Sequence, residues 1–198
     1  MREEALKKIA ILAVVLITLA AASAQTKAQP FSFKSDRLGM TLREWQEVHE
    51  LVPPSAAITY TDACQPATAK HPIQTCLYSE PSETIAGCPI KSVMYWFVND
   101  RLYSVYISVR ESCYEEVVSA MRAKYGKPSR AKSKTYQNGF GAKFVGGEVT
   151  WINGVSFVSV EQYAGDRETS SVLYWHFSLG AKADKYERQQ KAKAAEDL

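Results

Sequence analysis

Residues Val93 to Val109 read VMYWFVNDRLYSVYISV, two apolar, aromatic and β-branched runs joined by Asn99-Asp100. Strand formers on either side of a residue pair that tolerates left-handed backbone predict a β-hairpin. With Asn99 and Asp100 as the loop, Val98 faces Arg101, Trp96 faces Tyr103 and Met94 faces Val105. Side chains alternate across a strand, so Met94, Trp96, Val98, Tyr103, Val105, Ile107 and Val109 share one face. Val93, Tyr95, Phe97, Leu102, Ser104, Tyr106, Ser108 and Arg110 share the other. The second set mixes in serines and an arginine. The first is therefore expected to face the core, leaving Tyr95, Phe97 and Tyr106 to look outward.

Upstream of the hairpin, Phe31-Ser32-Phe33 suits a short strand. Thr41 then opens a helix: it is placed as the N-cap, Glu44 closes a capping box, and Met40 can staple to Trp45. Leu42, Trp45, Val48 and Leu51 recur at helical spacing, and Pro53-Pro54 ends the run. Short strands are expected at Ala56–Thr61 and Thr75–Ser79. Downstream, a second helix is expected from Ser112, with Glu115 in the box position and Val117, Val118, Met121 and Tyr125 as its buried stripe. Gly126 is placed for a left-handed cap, with Pro128 beyond it. Further strands are expected at Lys132–Gln137, Lys143–Ile152 and Val155–Tyr163, the last two joined by the hairpin pair Asn153-Gly154. In Val172–Leu179, Leu173, Trp175, Phe177 and Leu179 alternate with Tyr174, His176 and Ser178. These parities place all four tryptophans inward. The fold class is α+β: an antiparallel sheet with two capped helices packed on one face. The helix-then-strands pattern recurs as a tandem repeat, 38–110 and 111–180, with 25–37 preceding it and a polar helical tail at 181–198.

A charged start, the apolar run Ile9–Ala22 and the small residues Ala22-Ser23-Ala24 have the pattern of a cleaved secretory signal peptide over 1–24. The chain carries 24 basic and 21 acidic residues; three of the basic and two of the acidic lie in that leader, so the remainder is formally +2. Such a balance excludes nucleic acid as the expected partner. Nothing after the leader is apolar enough for stable membrane insertion. The expected location is periplasmic or secreted.

Cys64, Cys76, Cys88 and Cys113 are an even set in an exported chain, which reads as two disulfides with three possible pairings. The hairpin register sets residue 88 opposite about residue 111, bringing Cys88 near Cys113. Cys64 and Cys76 then close a small loop. A metal site from Cys64, His71 and Cys76 lacks the paired spacing that zinc sites use, so no metal or other cofactor is expected.

Gly39-Met40-Thr41 with its helix, followed by Tyr125-Gly126-Lys127-Pro128, resembles a signature of small exported bacterial helix-plus-meander proteins. The group includes the small lipoprotein of the outer-membrane assembly machine and, as a tandem version, the β-lactamase inhibitor proteins. The resemblance covers 38–180 in element order and implies a curved sheet that grips a partner. This chain has no lipid-attachment cysteine and no cysteine pair within its second unit.

No GxSxG, HExxH or glycine-rich phosphate loop is present. Gly139-x-Gly141 and Gly146-Gly147 are expected to ease a turn and a bulge. Between Arg122 and Lys143 stand seven basic residues and no acidic one (Arg122, Lys124, Lys127, Arg130, Lys132, Lys134 and Lys143), a stretch suited to an acidic partner or a solvated loop. Tyr95, Phe97, Tyr106, Phe157, Tyr163 and Tyr174 are expected to form one aromatic outer face for protein recognition. The leading functional expectation is a non-enzymatic binding module whose partner is another envelope or extracellular protein. The alternatives are a hydrolase-like enzyme assembled around His176 and a purely structural envelope component.

Overall fold

A computed structural model describes residues 28–49, 64, 72–78, 83–137 and 141–196. The leader, the Pro53-Pro54 helix stop, the strand at Ala56–Thr61, His71 and Gly139 lie outside them. In chain order the elements are β1 (Ser32–Phe33), β2 (Asp36–Arg37), α1 (Leu42–Val48), β3 (Ile73–Tyr78), β4 (Thr84–Ile85), β5 (Cys88–Val98), β6 (Arg101–Arg110), a 3-10 turn (Glu111–Cys113), α2 (Tyr114–Tyr125), β7 (Arg130–Gln137), β8 (Lys143–Ile152), β9 (Ser156–Glu161), β10 (Thr169–His176) and α3 (Phe177–Glu196). One antiparallel sheet runs β3-β5-β6-β10-β9-β8-β7, with β4 added beside β5. Strands of the first expected unit and of the second lie side by side and meet at β6–β10. Both expected disulfides are present, Cys64–Cys76 and Cys88–Cys113.

The central hairpin turns at Asn99-Asp100, whose φ values of 48° and 61° are those of a two-residue reversal. Beyond the turn its register departs from the expected one. Phe97 pairs with Leu102, but Trp96 pairs with Ser104, so Tyr103 is an extra residue in β6. Such a bulge shifts the pairing by one, and a one-residue shift exchanges faces. Val93, Tyr95 and Phe97 therefore join Leu102, Val105, Ile107 and Val109 in the core, all of them buried. Met94 and Trp96 turn to the opposite face, which corrects the inward placement expected for both.

In the second hairpin, Asn153-Gly154 as a two-residue loop is expected to pair Trp151 with Ser156, and the observed register slips from this by two. Ile152 pairs with Phe157 and Trp151 with Val158, because Asn153 spends its side chain on a wider turn. Its Oδ1 accepts from the Val155 N–H (3.1 Å) and the Ser156 N–H (2.9 Å). An even slip keeps every side chain on its expected face, so Val149, Trp151, Val158 and Val160 are all buried in the core.

The helix face of the sheet is covered by α1 and α2. Thr41 caps α1 as expected: its hydroxyl accepts from Glu44 N–H (3.1 Å), and its own N–H donates to Glu44 Oε2 (2.6 Å). Trp45 is 1% exposed and packs at 4.9 Å from the Tyr95 ring. The Ser112–Glu115 box is not made. A 3-10 turn enters α2 instead, with no side-chain cap. The helix buries Tyr114, Val117, Val118 and Met121 and ends at Gly126 with φ 76°.

The other face is half covered, by α3. β10 ends at His176, three residues short of the expected end at Leu179, and turns helical at Phe177; its parity is the reverse of that expected: Val172 and Tyr174 are buried in the core, while Leu173 and Trp175 lie on the far side. The polar tail is thus a docked helix. Ala183 is buried with Val98 and Tyr103, and Trp96, Trp175, Leu179 and Tyr186 pack around them. Gly180 lets the helix backbone lie directly on the Trp175 indole, where a Cβ would collide with ring atoms. Gly146 and Gly147 have a similar purpose in place of the expected bulge, since β7–β8 pairing is unbroken there. A Cβ on Gly146 would strike the Tyr163 ring, and one on Gly147 would strike the Tyr114 hydroxyl from the opposite side.

Two outcomes follow. Alanine is the better helix former, yet Gly180→Ala is expected to destabilise the protein, by about 1–3 kcal/mol for overpacking, read as a lowered denaturation midpoint with a changed tryptophan near-UV signal. Burial is the main reason the phenols of Tyr95, Tyr103 and Tyr174 are held above the ordinary value of 10.0. The unfolded chain releases those protons near 10 and the folded one keeps them, so stability is full below that pH and falls as pH rises through it. Urea titrations across the alkaline range should show this fall; a flat profile would contradict it.

Candidate recognition surface

Pairing registers lay out the α3 side of the sheet as three rows. The row beside α3 is Ile152, Phe157, Trp175, Ser104 and Trp96. The next is Arg130, Thr150, Ser159, Leu173, Tyr106 and Met94. The third is Lys132, Glu148, Glu161, Ser171, Ser108 and Ser92. Where α3 stops covering the sheet, an open trough of about 370 Å³ remains, lined by members of all three rows from Tyr106 on β6 to Arg130 on β7. From α3 outward its floor grades from aromatic through mixed to ionic.

Ile152, 45% exposed, stands at one end of this floor. At the other, Glu148 lies directly opposite Glu161, a like-charge pairing that costs stability by itself. β7 supplies the compensation. Lys132 Nζ pairs with Glu148 (3.2 Å), and Lys134 Nζ pairs with Glu161. The Tyr136 hydroxyl donates to Glu161 Oε1 (2.8 Å). Burial first, then that carboxylate, hold the Tyr136 phenol well above its usual range. Beyond Glu161, Tyr136, Phe144 and Tyr163 form a three-ring cluster with centroids 5.1–5.5 Å apart.

The six aromatics expected on one recognition face are divided between two. Tyr106 and Phe157 line the trough, and Tyr163 belongs to the neighbouring three-ring cluster. Tyr95, Phe97 and Tyr174 are core residues, each 2% exposed or less, and are withdrawn from any surface. Thr150, Ser159, Glu148 and Leu173 are not among the residues expected at a site, and Arg130 is expected only within the basic run. No local motif marks them; the register alone assembles them, though the basic alternation of Arg130, Lys132 and Lys134 was visible in the sequence.

His176 ends β10, half-buried, with Ser178 Oγ 3.4 Å from its Nδ1. Burial, the largest influence, lowers its pKa, and Lys182 acts in the same direction. His49 is elsewhere, as the C-cap of α1: its Nε2 lies 2.8 Å from Asp36 Oδ1, and the Tyr95 hydroxyl donates to Asp36 Oδ2 (2.8 Å). Asp36 is 1% exposed, so this cluster ties the β1–β2 hairpin to α1 and β5 inside the core. Among the described residues no group of three or more His, Cys, Asp or Glu is placed to hold a metal ion. No helix among them is long and apolar enough to cross a membrane. Two disulfides suit an oxidising, extracytoplasmic compartment. No family model matches this chain, and no curated protein or solved structure matches it either.

Proposed function

We propose that this chain is an exported, non-enzymatic recognition module that holds a segment of another envelope or extracellular protein in the trough beside α3. The trough itself carries the reading. It is an open concavity with an aromatic wall on one side, a mixed floor and an ionic rim on the other, so one partner segment would meet aromatic anchors and charged contacts together. Tyr106 and Phe157 are its aromatic anchors, the residue type that dominates binding energy at interfaces. The leader pattern and the disulfides support a periplasmic or secreted location. The resemblance in element order to the helix-plus-meander group supports a sheet that grips a partner, here on a face partly occupied by the chain's own C-terminal helix.

The test uses folded, oxidised protein as bait against the native exported fraction. Ser159→Arg places a long cation in the middle of the trough floor without removing core volume, and Tyr106→Ala removes one anchor. Both variants are expected to keep a cooperative denaturation transition and to lose the captured partners. Equal recovery by wild type and Ser159→Arg would overturn the reading.

A further inference from the structure

We propose that β7 is a docking edge that takes up an extended, carboxylate-bearing segment of a partner protein as an added strand. This edge borders the trough, whose lining ends at Arg130, and stands on separate observations of the β7 backbone. The sheet path ends at β7, which among the described residues pairs only with β8. Its eight residues run in unbroken register from Arg130 opposite Thr150 to Gln137 opposite Lys143, with neither a bulge nor a proline. Proteins commonly blunt an edge by shortening, bulging or covering it. The opposite edge strand, β3, is largely half-buried, and its Cys76 is tied to Cys64. Every residue of β7 except the half-buried Tyr136 is exposed.

The hydrogen-bonding pattern shows which backbone groups are free. Gly147 N–H donates to Gln162 Oε1 (3.0 Å), and its carbonyl accepts from Gln162 N–H (2.9 Å), so both polar groups of Gly147 point toward β9. Ser133, opposite Gly147, is therefore in a non-hydrogen-bonded pair, and its own N–H and C=O point away from β8. Alternation gives Ala131 and Thr135 the same direction. These three residues present a row of ladder groups to solvent.

Side chains define the occupant. Arg130, Lys132 and Lys134 share the trough side of β7. Ala131, Ser133 and Thr135 share the other, where Val145, opposite Thr135, is 63% exposed. Lys132 and Lys134 have their own carboxylates, yet their side chains are 48% and 47% exposed, open to a second acceptor. Edge lysines deter the addition of an uncharged or cationic strand, whereas a strand that brings carboxylates is not repelled. Arg130 has no ion pair among the described residues. A segment with a carboxylate at every second position and small or β-branched residues between would match both sides. An antiparallel second copy would not, because opposed residues share a face and its basic positions would meet these.

The experiment adds a blocked synthetic peptide alternating glutamate and valine, or its lysine–valine counterpart, to isotope-labelled oxidised protein, and follows backbone amides by NMR and hydrogen exchange. The glutamate peptide is expected to shift amides of β7 saturably and to slow exchange at Ala131, Ser133 and Thr135, while the lysine peptide does neither. Ser133→Pro removes one outward N–H and leaves the β7–β8 ladder intact; it should weaken binding about tenfold. Arg130→Glu, which loses no internal partner, should weaken it severalfold, and Ser159→Arg should leave it unchanged. No response at β7, equal response to both peptides, or shifts confined to Tyr106 and Phe157 would overturn the proposal. So would a concentration-dependent dimer that already protects those amides.

Discussion

Tyr103 and Ser104 both stand opposite Trp96, and that two-against-one pairing decides the rest of the architecture. On the turn side of the bulge, Phe97 and Leu102 point to the helices. On the far side, Tyr95 with Val105 and Val93 with Ile107 do the same, because β5 and β6 have been offset by one residue. Without the offset, β5 would bring Trp96 and Met94 into the core and expel Tyr95 and Phe97. The ring packing of Trp45 on Tyr95 and Phe97 would then have no partner, and Asp36 would lose the phenol that satisfies one of its oxygens. Sheet parity, helix docking and the buried polar cluster form one connected choice.

The same choice creates the unequal faces. The helix side is closed: two helices, the β1–β2 hairpin and the Asp36 cluster cover it. The opposite side receives Trp96, Tyr103 and Trp175, too much aromatic surface to leave in water. α3 covers that end by laying Gly180 and Ala183 against it, small residues that let helix and sheet approach closely. What α3 leaves uncovered becomes the trough. Its ionic end depends on β7 bringing lysines to a Glu148–Glu161 opposition that would otherwise be unfavourable.

Several elements were legible because their signals are local. The Asn99-Asp100 reversal, the Thr41–Glu44 cap, the Gly126 stop and the bounds of β8 depend on residues within a few positions of one another. Cysteine pairing was legible because a hairpin converts register into proximity. Strand parity failed in β5 and β10 for a definite reason. Both strands are apolar on both faces, so alternation cannot say which side is inward, and nothing about Tyr103 distinguishes a bulged residue from an ordinary strand residue. The second hairpin tolerated a register error because the error was even. Of the trough lining, Tyr106 and Phe157 were readable as aromatic strand residues. Arg130, Ser159 and Leu173 come together only through pairings across four strands, which no short window of sequence contains.

Gly146 and Gly147 set how closely the two layers on either side of the sheet approach each other. Elsewhere the side chains of β8 stand between the layer above and the layer below. At this dipeptide the Tyr163 ring approaches the bare chain from the trough side and the Tyr114 hydroxyl approaches it from the α2 side. The sheet there is as thin as a single peptide backbone. Any side chain at either position would have to displace one of those tyrosines, so the helical layer and the layer bordering the trough are separated here by main chain alone.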